Sequence, residues 1–225
     1  MQTPLLCVAD EATFWPALRW TDFDRMPGRE RTMVVVPVVG MADWGLGHAL
    51  DTEEVLLTRI LREASLRRGD LPLLVIPPLR FVLGPHPGCA FPVTPPVACA
   101  LIEETVLSIK RSGFTKVVLF NSSPWNEELC DAVARDLRIE HALQMFCINL
   151  SALDLDLHPT RSRSRRQVQS LAAALGGAGE SGPAEAPSAE SVLKAAADRL
   201  AGFFREIHGR PPLADGGAIL PAQVP

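Results

Sequence analysis

The chain lacks most of the features that mark specialised protein classes. No run approaches the roughly 18 consecutive apolar residues of a membrane-spanning helix. The opening residues, MQTPLLCVADE, lack the basic stretch that begins a secretory leader. Both absences set the expectation of a cytoplasmic protein with no membrane partner. Positive charge is not in excess either: 22 basic against 26 acidic residues give a formal net charge of -4. A nucleic-acid partner is therefore not expected. The five cysteines (Cys7, Cys89, Cys99, Cys130 and Cys147) are scattered and show no CxxC spacing, which argues against a disulfide framework or a zinc knuckle. Cys130 and Cys147 sit in apolar patterns and are expected to be buried free thiols. No internal repeat is apparent.

What is present is an apolar content of 47% over 225 residues, enough for one well-buried domain. Four short apolar runs read as strands: Met33 to Val39, Leu73 to Ile76, Lys116 to Phe120 and Leu143 to Leu150. Their near-continuous Val, Ile and Leu content suits strands buried on both faces of a parallel sheet. Helical periods lie between them. The first carries Leu56, Leu57, Ile60, Leu61 and Ala64 on one face, with Asp51 and Glu54 spaced as a capping box and Arg67-Arg68-Gly69 as a stop. The second opens with Thr94-Pro95, ends at Gly113, and turns Ala98, Leu101, Ile102 and Ile109 inward. The third opens with Ser123-Pro124 and buries Leu129, Cys130, Val133 and Leu137. A last amphipathic helix carries Val192, Leu193, Ala196, Leu200, Phe203 and Ile207. This alternation predicts an α/β fold: three layers, a mostly parallel central sheet flanked by helices. The domain spans residues 1–175, a Gly/Ala/Pro linker 176–188, a helix packing on the same domain 189–209, and a loose tail 210–225.

In an open parallel sheet, ligands bind beyond the carboxyl ends of the strands. That rule selects the loop with Asp43, Trp44, His48 and Asp51, and the loop with Arg80 and His86. It also selects the segment with Ser123 and Trp125, and the segment with Asp154, Asp156 and His158. Each residue also has a plainer structural reading. Asp51 reads equally as a helix cap. Ser123 reads first as a cap and only second as a nucleophile, because no G-x-S-x-G elbow surrounds it. Trp44 and Trp125 read as packing before they read as pocket walls, and His48 and His86 as hydrogen-bonded loop residues as much as ligands. The run Arg161 to Arg166 reads as a solvated face before an anion site.

The order of these loops resembles the creatininase (creatinine amidohydrolase) family from about Trp15 to Arg166. The segment PALRWTDFDRMPGRERTMVVVPVVGMADWGLGHALDT stands where the family has a strand and the loop P-V-G-S-x-E-x-H-G-x-H-x-P-x-x-T-D. Phe91 to Thr94 stands for F-P-G-T. The stretch GFTKVVLFNSSPWNEEL, Gly113 to Leu129, stands for G-F-x-x-[IV]-[IV]-[ILV]-x-N-G-H-G-G-N and is the most specific match. His158 to Arg165 stands for H-A-G-x-x-E-T-S. The resemblance implies a dinuclear zinc or manganese site that hydrolyses an amide-type C–N bond, and an oligomeric assembly. It also implies that most of the metal ligands are gone. The first Glu and His fall on Ala42 and Trp44, or on Asp43 and Gly45 in the other register, which keeps His48. The bridging Asp falls on Asp51, the His of N-G-H on Ser123 and the last Glu on Arg163.

Three functions follow as expectations. In the first, the chain is a non-catalytic family member, with no cofactor, serving as an assembly or regulatory subunit in a homo-oligomer or with an active paralogue. In the second, Asp43, His48 and Asp51, with His86, Asp156 and His158, rebuild a single zinc or manganese site for amide hydrolysis. In the third, Trp44, Arg80, His86, Ser123, Trp125, His158 and Arg163 supply the groups for a small-molecule pocket.

Overall fold

The computed structural model describes residues 13–43, 49–84, 88–155, 157–158, 171 and 188–211. Five parallel strands form one sheet: β1 (Met33–Val39), β2 (Leu73–Val75), β3 (Leu79–Arg80), β4 (Lys116–Asn121) and β5 (Gln144–Asn149). The order is β2-β1-β4-β5, and β3 pairs with β1 beyond the end of β2. All of β1 and β4 is buried, as their unbroken apolar runs require.

Pro37 sits inside a central strand, a position that normally rejects proline because the ladder needs its N–H. The odd-numbered residues of β1 face the β2 side: Met33 N–H donates to Pro72, and the carbonyls of Val35 and Val39 accept from Ile76 and Phe81. Pro37 therefore faces the gap between β2 and β3. No ladder partner is lost there.

Side chains alternate across the sheet into two cores. Met33, Val35 and Val39 meet α2 (Thr52–Leu66) and the C-terminal helix, α5 (Ala189–Gly209). Val34, Val36 and Val38 meet α3 (Pro95–Arg111), α4 (Glu127–His141) and Phe23 of the short α1 (Trp20–Arg25). The fold is thus a three-layer α/β sandwich. Among the described residues no helix is long and apolar enough to cross a membrane.

Several local expectations shift. Asp51 precedes α2 but makes no side-chain cap bond. Glu54 does not complete a capping box; Arg80 engages it through two hydrogen bonds of 2.7 Å, a stronger match than a single backbone N–H. The helix ends as expected, with Arg67 and Arg68 donating to the carbonyls of Glu63 and Ser65 and Gly69 at φ +65. Thr94 makes no side-chain cap on α3. Leu101 is 40% exposed, whereas Val106 completes the buried stripe Ala98, Ile102, Val106 and Ile109. Helix α4 begins at Glu127 instead of after Ser123-Pro124. The reason is that Asn121 holds Ser123 from both sides, its Oδ1 accepting the Ser123 N–H at 3.1 Å and its Nδ2 donating to the Ser123 carbonyl at 2.8 Å. Phe204, not Phe203, is the aromatic that α5 buries fully, and Cys147 is only half-buried, while Cys130 is buried.

Candidate functional site

The strand order places the start of the chain's sheet in its middle. β1 runs out to β2 on one side and the chain returns to β4 on the other. The carboxyl ends of β1 and β4 therefore border the crevice where an open α/β sheet binds ligands. At that point β1 ends in Gly40, β4 ends in Asn121-Ser122-Ser123, and the first turn of α2 approaches between them.

The group that α2 sends there is the carboxyl of Glu53. It is only 2% exposed. Its Oε2 accepts the Gly40 N–H at 3.0 Å and the Ser122 hydroxyl at 3.2 Å. The Ser123 hydroxyl lies against the same carboxyl and favours its charged form, without the geometry of a full hydrogen bond. Glu53 Oε1 and Ser123 Oγ are both buried and without a hydrogen-bond partner among the described residues. Burial dominates and pushes the Glu53 pKa up to about 7, opposed by the Gly40 N–H and the two serines. Gly40 has to be glycine: a Cβ there would lie 2.4 Å from Glu53 Oε2 and 2.8 Å from Ser123 Oγ.

Among the described residues, two asparagines brace the edge around this acid. Asn121 Nδ2 also donates to Asn149 Oδ1 at 3.0 Å, tying β4 to β5. Asn126 reaches back to the Phe81–Leu83 segment, donating to the Phe81 carbonyl and accepting the Leu83 N–H, both at 3.1 Å. Ala42 bridges to Cys89, and the Asp43 N–H donates to the Gly88 carbonyl.

The expected site residues are distributed as follows. Ser123 is buried beside Glu53. Trp125 is half-buried and packs against His158, ring centroids 5.7 Å apart and tilted by 40°. Asp43 is half-buried, and Asp51 is exposed. Arg80 is spent on Glu54, and Asp154 pairs with Arg199. Trp44, His48, His86, Asp156, Arg163 and the rest of the arginine run lie outside the described residues, as does the linker 176–187. Glu53 is the residue that sequence reasoning passed over. Two signals pointed to it. It lies on the buried stripe of α2, one turn before Leu56 and Leu57, and Thr52-Glu53 repeats the hydroxyl–acid order of the family's T-D pair.

A divalent cation needs several imidazole, thiolate or carboxylate groups converging on it. Among the described residues, the one such grouping of three is Glu103, Glu140 and His141. It lies between α3 and α4, away from this edge.

Comparison with known proteins agrees with the fold. The creatininase family, described as creatinine amidohydrolase, matches residues 16–181. A putative creatinine amidohydrolase from Bacteroides fragilis NCTC 9343 has a similar structure, with a TM-score of 0.66 and 15% identity, covering 91% of this chain and 100% of that one. A mutant creatininase of the Zn-Zn type aligns with a TM-score of 0.64 and 16% identity, covering 89% of this chain and 100% of that one. A manganese creatininase aligns with a TM-score of 0.62 and 16% identity, covering 88% and 100%. No curated protein matches the chain.

Proposed function

This chain belongs to the creatininase family, and on that premise we propose that it is a non-catalytic member acting as an assembly or regulatory subunit. The observation that carries the reading is the state of Glu53. A metal-binding carboxylate must be ionised and must turn its lone pairs to the cation. Here Oε2 already accepts two donors, and burial favours the protonated form to about pH 7. A proton on Oε1 gives that unpartnered oxygen a hydrogen to donate. Below about pH 7 the edge is thus completed by a proton. The described residues do not fit a pair of divalent ions: around Glu53 they bring hydroxyls, amides and a backbone N–H, and Ser123 stands where the family motif has histidine.

For the subunit role, Val97 and Leu101 stand one turn apart on α3, with Phe91 just before the helix, and all three remain exposed. A contact with a second copy or an active relative would cover apolar surface of this kind. No cofactor is required for that function.

Native mass spectrometry after incubation with zinc or manganese tests both halves. The expected spectrum shows an oligomer, homomeric or formed with an active family member, and no ion that depends on Glu53. A lone monomer under all conditions would contradict the subunit role. Two ions per chain that disappear in Glu53→Gln would restore the reading as a metal-dependent amidohydrolase.

A further inference from the structure

The outer groove between α3 and α4 holds a second set of chemically able side chains, unrelated to the sheet edge. Glu103 comes from the middle of α3; Glu140 and His141 come from the last turn of α4. One ligand atom from each lies within 4.8 Å of the other two. Helix α4 is 15 residues long, so its last turn is about 20 Å from the Asn126 end at the carboxyl edge.

The distances separate two explanations of this cluster. If His141 were a cation paired to the carboxylates, its Nε2 would approach one of them to about 2.8 Å. Instead it stands 3.9 Å from Glu103 Oε1 and 4.0 Å from Glu140 Oε2, nearly equidistant and bonded to neither. Its Nε2 atom is buried and has no hydrogen-bond partner among the described residues. Ligand atoms at roughly 2.0–2.1 Å from a tetrahedral zinc ion are about 3.3 Å apart. The three atoms, all within 4.8 Å of one another, would draw together around a bound ion.

Two further features favour a cation. A cavity of about 170 Å³ adjoins the cluster and is lined by Cys99, Glu103, Val133, Asp136, Leu137 and Glu140, so three carboxylates face one small space. The frame is also pinned, since Lys110 of α3 donates to the His141 carbonyl at 2.9 Å and holds the end of α4 against its neighbour.

We propose that Glu103, Glu140 and His141 form a binding site for one divalent cation of the zinc class, clamping α3 to α4. One imidazole with two carboxylates selects a borderline ion over magnesium or calcium, which prefer all-oxygen shells. Three protein ligands leave the fourth position to water.

Calorimetric titration of the full chain with zinc chloride tests this, with magnesium chloride as the contrast. One zinc ion per chain is expected, with no measurable magnesium binding. His141→Ala and Glu103→Gln should each weaken zinc binding at least ~10-fold, and circular dichroism should confirm that both variants keep the fold. Replacement by cobalt should give visible absorption bands that His141→Ala abolishes. Absence of zinc binding, or zinc binding unchanged in both variants, would overturn the proposal.

Discussion

Two ionisable side chains are buried at opposite ends of the same pair of strands, and they are satisfied very differently. Lys116 opens β4 and is 1% exposed. Its ammonium donates to the carbonyls of Ile207, His208 and Arg210 at 3.2, 3.4 and 2.9 Å. Three donors meet three acceptors left over at the end of α5, and the charge is complemented by the helix's negative end. Glu53, beyond the other end of β1, has one oxygen engaged and the other without a partner. The first is a finished structural joint. The second is an unfinished one, at the edge where this architecture places its chemistry. Burial moves both groups toward neutrality, lowering the lysine's pKa, with Arg31 adding to the effect, and raising the glutamate's. The glutamate is carried up to about 7.

Breaking each joint sharpens the contrast. Lys116→Ala should be the most damaging change, costing roughly 3–4 kcal/mol through lost charge-assisted hydrogen bonds and a cavity. Urea unfolding would give the loss, and hydrogen exchange should show residues 189–209 opening first. The titration of Glu53 ranks next. Its pKa rises from 4.5 to about 7 on folding. Below that window both states carry the proton; within it only the folded state does, so stability falls as pH rises and levels off above pH 7. The full effect is about 3 kcal/mol. It is read as the difference between the wild-type and Glu53→Gln stability curves, with the variant ahead at pH 8. Parallel curves would remove the neutral-acid assignment. Gly40→Ala follows at about 2 kcal/mol, because the new methyl collides with Glu53 and Ser123; a thermal scan would record it. Glu54→Ala should be the mildest, below about 1 kcal/mol despite its paired bonds to Arg80, since the arginine side of that pair stays open to solvent.

Much of the fold was legible because burial on both faces writes itself as continuous apolar runs. Strand β1 spans Met33–Val39 as read, and α2 buries the stripe its period defines. The errors came where a side chain had two possible partners. Glu54 could cap α2 or meet Arg80, and Ser123 could cap α4 or be held by Asn121; distant residues decided both. Leu101 and Phe203 sit at the margins of their stripes, where periodicity alone does not fix the facing side. The site was harder to read. The rule for open sheets selected the edge on which Glu53 lies, and the family motif selected Ser123 beside it. Attention to histidines and aspartates nevertheless concealed Glu53, the acid that among the described residues folding buries there. Glu53 reads as an ordinary first-turn acid until the stripe it belongs to is followed backwards.

The central claim is that this edge is closed by a proton on Glu53 and holds no paired cations. Anomalous diffraction at the zinc edge, from crystals grown with zinc, tests it most directly. The account predicts no peak beside Glu53, whatever is bound between Glu103, Glu140 and His141. Two peaks within bonding distance of Glu53 and its neighbours would contradict it.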